Sequence, residues 1–299
     1  MQTITRDHVI YQMSAAHPCA ARAASGETVV FETLDCFGGQ ITREDQHLNG
    51  IDWTNINPAT GPLYVEGAQP GDVLKVEILQ IDLDNHGVMT ETPGEGPYGA
   101  SIQEEATKIL PVAAGRVTFN DRLSFPARPM IGVIGTAPAG EAVPTGTPGP
   151  HGGNMDCSRI CAGSILYLPV EVPGALLAMG DLHAVMGDGE VCICGVEISG
   201  SVTVRVTALR HCALPTPFLV TPERFMDICA ADTMDAAAKD AVERMRAFLI
   251  DQVGMSAHDA GMVLSAVCDL RVCQMVDPMI TCRMEVSRDI PAAYGYAFP

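Results

Sequence analysis

Val73-Leu-Lys-Val-Glu-Ile-Leu-Gln-Ile81 alternates along its length. Leu74, Val76, Ile78 and Gln80 share one side, and Val73, Lys75, Glu77 and Leu79 share the other. Strand side chains point to opposite faces with a period of two, so the run predicts a β-strand with one mainly apolar face. A tight turn at Gln69-Pro-Gly-Asp72 introduces it. Outward from this strand the same texture recurs. Thr28 to Leu34 alternates and ends at Asp35 and the turn-prone Gly38-Gly39. Short strands are predicted within residues 109 to 135, ending at Met130 to Ile134, and at Ile165 to Val172 and Val191 to Ile198. Ser201 to Leu209 alternates as well, with Val202, Val204 and Val206 on one face. Much of the Gly and Pro punctuates these runs, which favours short strands and turns over long helices. Residues 1 to 213 therefore read as a mainly β, sandwich-like unit of many short strands. Residues 84 to 103 and 136 to 156 read as Gly- and Pro-rich loops, the first as a candidate lid.

The texture changes after residue 213. Thr221-Pro222-Glu223-Arg224 resembles a helix start, with Pro at the first helical position. Asp235 to Val253 places Ala238, Ala241, Val242, Met245, Leu249 and Val253 at helical spacing, and Gly254 stops it. Ser256, with Asp259 three residues on, caps a second helix running to about Cys268. Residues 214 to 299 are expected to form a smaller α/β portion that completes the fold. The aromatic tail, Pro291 to Pro299, is expected to pack or to lie at a subunit interface.

The formal net charge is −18, and such a surface repels nucleic acid phosphates and anionic membranes, so neither is expected as a partner. The acidity points weakly to a neutral or cationic substrate. The opening MQTITRDHVIYQM lacks a basic start followed by an apolar stretch, so it does not read as a signal peptide. Ala162 to Gly180 contains Pro169, Glu171 and Pro173 and will not span a bilayer as a helix. Eleven irregularly spaced cysteines with no CxxC pair read as reduced thiols in a cytoplasm.

The densest polar cluster falls in strand-connecting segments, where binding residues collect on a rigid β scaffold. It comprises Gly149-Pro-His-Gly-Gly-Asn-Met-Asp156, Gly180-Asp-Leu-His-Ala184, and Gly187-Asp-Gly-Glu-Val191 followed by Glu197. Asp181 and His183 lie two apart, so an extended segment points both the same way, and carboxylate and imidazole are ordinary zinc ligands. The alternative reading is a buried histidine held by hydrogen bonds. His151, Asn154 and Asp156 surround Gly152 and Gly153, either as a site or as a glycine-rich turn capped by Asn154. Glu190 enters an apolar run, where desolvation raises a carboxyl pKa toward that of a proton shuttle. Glu197 is a second acid in that run, and Asp35 joins from far off in sequence. The chain has no GxSxG elbow, Walker A motif or Rossmann glycine fingerprint. A Cys157 or Cys161 nucleophile stays open as another hydrolase reading.

Several of these segments together resemble the acetamidase/formamidase family. They are Asn57-Pro-Ala-Thr-Gly-Pro-Leu-Tyr-Val-Glu-Gly-Ala-Gln-Pro-Gly-Asp-Val-Leu74, Pro148 to Asp156, Leu166-Tyr-Leu-Pro-Val170 and Pro173 to Glu190, with Asp277-Pro278 late in the chain. The family pattern usually has His where this chain has Asn57. The resemblance implies a β-rich fold with a smaller α-containing part, and hydrolysis of short formamide- or acetamide-like amides to carboxylate and ammonia. It also implies a divalent metal at the site and a homodimer or higher homo-oligomer. On that basis Asp181 and His183, with Asp35 or Asp156, are expected to hold zinc, or calcium or another divalent ion in its place. Glu190 is expected to move the proton. His151, Asn154 and the amides near Gly152 and Gly153 are expected to support the oxyanion, with Glu197 contacting substrate. The competing reading is a non-catalytic small-molecule or metal-binding protein on the same scaffold.

Overall fold

In the computed structural model, which describes residues 2–299, Val73–Leu83 is an eleven-residue strand in the interior of a nine-stranded sheet. Leu74, Val76 and Ile78 are buried, as the alternation requires. The strand pairs antiparallel with Gly200–Leu209 on one side and Ile165–Pro169 on the other. The register slips between Thr203 and Val204, where the pairing passes from Gln80 to Ile78 and leaves Leu79 exposed. Across the sheet the order is Gln2–Ile4, Thr28–Thr33, Gly200–Leu209, Val73–Leu83, Ile165–Pro169, Phe218–Val220, Arg224–Ala231, Ile280–Ser287, Asp269–Gln274. Strands after residue 213 thus extend the sheet that the earlier strands begin.

A second sheet has eleven strands. Its centre is Leu177–His183, flanked by Met130–Gly135 on one side and by Ala59–Glu66 and then Glu197–Ile198 on the other. Phe31, Val76, Ile78, Val202 and Val204 of the first sheet share one core with Leu63, Ile131, Ile134, Met179, Leu182 and Ile198 of the second. The mainly β architecture expected from the alternating runs is present, with helices toward the C-terminus.

The two long helices are α1 (Met234–Asp251) and α2 (Ala257–Val267). Thr233 caps α1 by accepting from the Ala236 amide, and Ser256 caps α2 by accepting from the Asp259 amide. Ala237, Ala241, Met245, Phe248 and Leu249 form the buried stripe of α1, which lies on Arg224–Ala231 and Ile280–Ser287. Phe248 meets Phe218, Phe225, Tyr296 and Phe298. The aromatic tail therefore packs over this second core. Tyr167 Oη and Lys75 Nζ both donate to the carbonyl of Pro299. Among the described residues no helix is long and apolar enough to cross a membrane.

Three local expectations change. Residues 86–91 are not loop but a strand, His86–Glu91, paired to Ala106–Ala113 and touching Glu197–Ile198. Thr221 to Arg224 is not a helix start but a tight hairpin. Its Thr221 amide donates to the Arg224 carbonyl, and the Arg224 amide donates to Thr221 Oγ1. Pro also fits a turn, and Arg224–Ala231 finds ladder partners on both sides. Residues 191 to 196 do not continue a strand. The Glu190 amide donates to Gly187 and the Ile193 amide to Glu190, so successive turns use the donors that a ladder would need. Only Glu197–Ile198 pairs.

Phe248→Ala removes the ring on which tail, helix and sheet converge, with an expected cost of about 3–5 kcal/mol of folding stability. Chemical denaturation of the purified variant measures it. A loss below about 1 kcal/mol would mean the tail and helix repack without it.

Candidate active site

Leu177–His183 is buried at every position and ends in Asp181 and His183. Opposite lies Glu197, in register with His183. His183 Nε2 is 3.1 Å from Glu197 Oε2, 3.4 Å from Asp181 Oδ1, 3.8 Å from Asp156 Oδ1 and 3.9 Å from Glu190 Oε1. All five residues are at most 6 % exposed. Four carboxylates thus converge on one imidazole nitrogen. Asp277 joins the group through Asn154, whose Nδ2 donates to Asp277 Oδ2 at 2.9 Å.

The backbone pays for this convergence in conformation. Asp156, Asp181 and Glu190 take φ values of 43°, 54° and 48°, in the left-handed region that costs a side-chain-bearing residue on the order of 1–3 kcal/mol. Such outliers persist where the surroundings over-determine them, and three of them carry carboxylates of one cluster. Two glycines make room. A Cβ on Gly132 would stand 2.4 Å from Asp181 Oδ2 and 2.5 Å from Asp156 Oδ1. One on Gly195 would stand 2.6 Å from His183 Nδ1.

Glu190 is delivered by the turn at Gly187–Glu190, which is clamped from behind. Arg283, fully buried, donates to both oxygens of Asp188 at 3.1 and 2.6 Å and to Glu285 at 2.8 Å. Gly189 exchanges backbone bonds with the neighbouring loop: its amide donates to Cys273, and the Met275 amide donates to its carbonyl. Gln274 shapes that loop by accepting from the Val276 and Asp277 amides and donating to the Met279 carbonyl.

Burial pushes the Glu190 and Asp156 carboxyls well above their ordinary range, with neighbouring carboxylates adding to the rise. Burial also lifts Asp277, with Glu190 adding to it. Glu197 is raised to about 7, by burial against the opposing pull of His183. Burial alone would lower His183, but Glu197 and Asp181 outweigh it and hold the imidazole well above its usual value.

The ligand-like character of the cluster lies in its unused atoms. Asp156 Oδ1, Asp181 Oδ1, Glu197 Oε2 and both nitrogens of His183 are buried without a hydrogen-bond partner. Buried polar atoms are normally satisfied, so convergent orphans of this kind fit a bound cation. Two sets of donors each bring their ligand atoms within 4.8 Å of one another: Asp156, His183 and Glu190 in one, and Cys36, Asp181 and Glu197 in the other. Imidazole with carboxylates suits zinc, and an oxygen-rich set also suits calcium.

A cavity of ≈500 Å³ opens beside the cluster, lined by Asp181, Glu190, Glu197, Asn154 and Asp277 among others. Asp156 and His183 do not line it and sit deeper.

Five of the residues read from the sequence are therefore brought together: Asp156, Asp181, His183, Glu190 and Glu197. Asn154 lines the cavity beside them. Asp35 does not join either donor set, because its Oδ1 accepts from the Gly39 amide and holds the turn that presents Cys36 and Phe37. His151 does not line the cavity; its ring folds against Gly149 and Gly153, and burial lowers its pKa. Gly152 and Gly153 pair with Gly135 and Ile134, with φ of 98° and 79°. A Cβ on either would strike a backbone carbonyl, at Ile134 or Thr147, so these glycines serve chain packing and not the cavity wall. Cys157 and Cys161 also lie off the cavity. Cys36 and Asp277 were missed as site residues. Asp277 carried a faint signal in Asp-Pro, a turn-initiating pair, whereas Cys36 carried none.

The sequence pattern of the Acetamidase/Formamidase family matches residues 13–145 and 139–291, and the chain belongs to that family. The crystal structure of an acetamidase from Bacillus halodurans is 48 % identical, covers 98 % of this chain and 100 % of its own, and superposes with a TM-score of 0.97. That of a protein described as a predicted acetamidase/formamidase from Thermoanaerobacter tengcongensis is 39 % identical, covers 99 % of each chain and also has a TM-score of 0.97. A formamidase of Methylophilus methylotrophus is 28 % identical over 64 % of this chain and 62 % of its own length. The matches span less than two thirds of the curated relatives' length.

A carboxyl whose folded pKa lies above its unfolded value keeps its proton after the unfolded chain has lost it. Its stabilising contribution is full below the unfolded value of about 4.3 and fades as pH rises toward the folded value. For Glu197 that window closes at about 7. The thermal midpoint of metal-free protein is thus expected to fall as pH rises through this window, and Glu197→Gln should flatten the fall. Calorimetry at several pH values tests it, and identical slopes for both proteins would remove Glu197 from the effect.

Proposed function

We propose that this protein hydrolyses a linear primary amide to a carboxylate and ammonia, assisted by a divalent cation held at His183. Membership of the acetamidase/formamidase family supports the reaction class. The observation that carries the cation is the set of unpartnered, buried donor atoms around His183 Nε2. His183, Asp181 and Asp156 would hold the ion, with zinc the best match to this mixed set. Such an ion supplies Lewis acidity toward the amide carbonyl and makes hydroxide available near neutral pH.

The rest of the chemistry belongs to the chain. Glu190 lines the cavity beside the donor set, and burial raises its pKa, which makes its carboxylate a stronger proton acceptor than an exposed one. It takes the proton of the attacking water and delivers it to the departing nitrogen, which leaves poorly as an unprotonated amine. Asn154 Oδ1 is buried and unpartnered, so it can accept a hydrogen bond from the substrate –NH₂. Asp277 fixes the Asn154 amide in that orientation. Eleven free cysteines suit the expected reducing cytoplasm, and a homo-oligomer is the expected assembly.

Glu190→Gln keeps the shape and removes the proton shuttle. It should lower kcat for ammonia release by about 10²–10⁴-fold. Turnover near that of the unaltered protein would take Glu190 out of the mechanism, and a panel of short amides that yields no ammonia would favour a non-catalytic binder.

Metal analysis of purified protein should find a divalent ion, and exhaustive chelation should abolish activity until the ion is restored. A metal-free sample with undiminished turnover would leave the acids and Asn154 to act alone.

A further inference from the structure

Formamide has three heavy atoms and needs roughly two to three times the ~30 Å³ share of one water molecule. The cavity measures ≈500 Å³, within the range of about 300–1,000 Å³ that holds drug-sized ligands. Its two ends differ in chemistry. The inner end presents Asp181, Glu190, Glu197 and Asn154. The more exposed part of the lining includes Trp53, Ile56, Ile193 and Val276, and the buried Phe37 and Leu48 add further apolar surface. Among the described residues, no Lys or Arg lines it.

The outer wall is built, not incidental. Trp53 lies on a short 3₁₀ turn, Trp53–Asn55, capped by Asp52, whose side chain accepts from the Thr54 amide. Its indole Nε1 donates to the Leu48 carbonyl at 3.0 Å, which fixes the ring at the mouth although it is 51 % exposed. Gln40 holds the same loop from both sides: its Nε2 donates to the Asp52 carbonyl, and its Oε1 accepts from the Asp52 amide. An exposed, pinned indole over an apolar wall is a surface waiting for an apolar partner.

We infer that the substrate is a primary amide whose neutral acyl group carries an apolar chain or ring, seated against Trp53, Leu48 and Ile56. The inference rests on the hydrolase reading above and specifies its substrate. The –NH₂ group donates hydrogen bonds, and the acceptors are at the inner end. The acyl substituent is then what extends toward the apolar wall. The acidic inner end and the lack of lining cations disfavour an acyl chain that ends in a carboxylate.

The test compares kcat/KM for formamide, acetamide, butyramide, phenylacetamide, succinamate and N-benzylacetamide, by release of ammonia or benzylamine. Each methylene in an apolar pocket is worth about 10–200-fold. Butyramide or phenylacetamide should therefore exceed acetamide by at least ~100-fold, and succinamate should fall well below butyramide. Trp53→Ala should shrink the phenylacetamide-to-acetamide ratio by about tenfold, chiefly through KM. Formamide or acetamide performing as well as phenylacetamide would overturn the inference, and so would N-benzylacetamide as the preferred substrate.

Binding is read separately. Trp53 is the sole tryptophan, so its fluorescence reports occupancy of the cavity mouth without turnover. Phenylacetamide should perturb the fluorescence of Glu190→Gln at lower concentration than acetamide does. If it does while no amide is hydrolysed, the acyl pocket stands and the hydrolase reading fails. Equal concentrations for both ligands would sink the pocket whatever the activity.

Discussion

Four buried carboxylates around His183 Nε2 are the constraint to which the rest of the structure answers. Like charges in a dry interior repel strongly, and each ionised group taken from water loses its hydration. One imidazole cannot neutralise four acids. Either the acids hold protons, as the upward shifts of Asp156, Glu190 and Glu197 indicate for the bare protein, or a cation replaces those protons. Both states place a titratable, strongly interacting set against a cavity. That is the arrangement expected where charge develops during a reaction.

Holding such a set together requires stiffness. Asp181 and His183 come from the central strand of the eleven-stranded sheet, and Glu197 from the strand that pairs with it. Asp156 follows the short strand Gly152–Asn154, which pairs with Met130–Gly135. Glu190 alone rides on a turn, and that turn is the one anchored by Arg283 through Asp188. Arg283 is fully buried, and removing one partner of a buried pair costs about 3–5 kcal/mol because the other charge is left unpaired. The ion pairs behind the cluster are thus satisfied, whereas the atoms in front of it are not. The asymmetry aims the unsatisfied valence at the cavity.

Legibility in the sequence followed locality. Asp181 and His183 were readable because period-two geometry relates neighbours on one strand, and the alternating runs around Val73 fixed the β character for the same reason. Glu190 does lie in the cluster, but not for the local reason that the apolar run suggests. It does not enter a strand; it sits at φ 48° in a turn, and its desolvation comes from the surrounding acids and loops. His151 reads as catalytic and Gly152 as substrate-binding because glycine-rich turns with polar neighbours look alike whether they face a cavity or cross a strand. Cys36 and Asp277 reach the site through tertiary placement, from opposite ends of the chain. No spacing rule links positions 241 residues apart. Arg283 and Gln274 were hidden in the same way, since each acts by holding a loop from elsewhere in the sequence.

The polar stretch from Gln40 to Asn57 carries the same lesson in reverse. Its composition suggests a solvated connector, yet many of its hydrogen bonds are internal: Gln40 on Asp52, Asp52 on Thr54 and Asn55, Trp53 on Leu48. That ordering leaves the apolar side chains of Leu48, Trp53 and Ile56 lining the cavity. A loop ordered in this way, with Ile41 and Leu48 packed on Val88 and Ile109, can present hydrophobic surface next to water. It sets a neutral, apolar rim around an acidic floor, so what enters must tolerate both: a donor-bearing head for the carboxylates and an uncharged body for the rim. A primary amide with an apolar acyl group meets both demands in one small molecule.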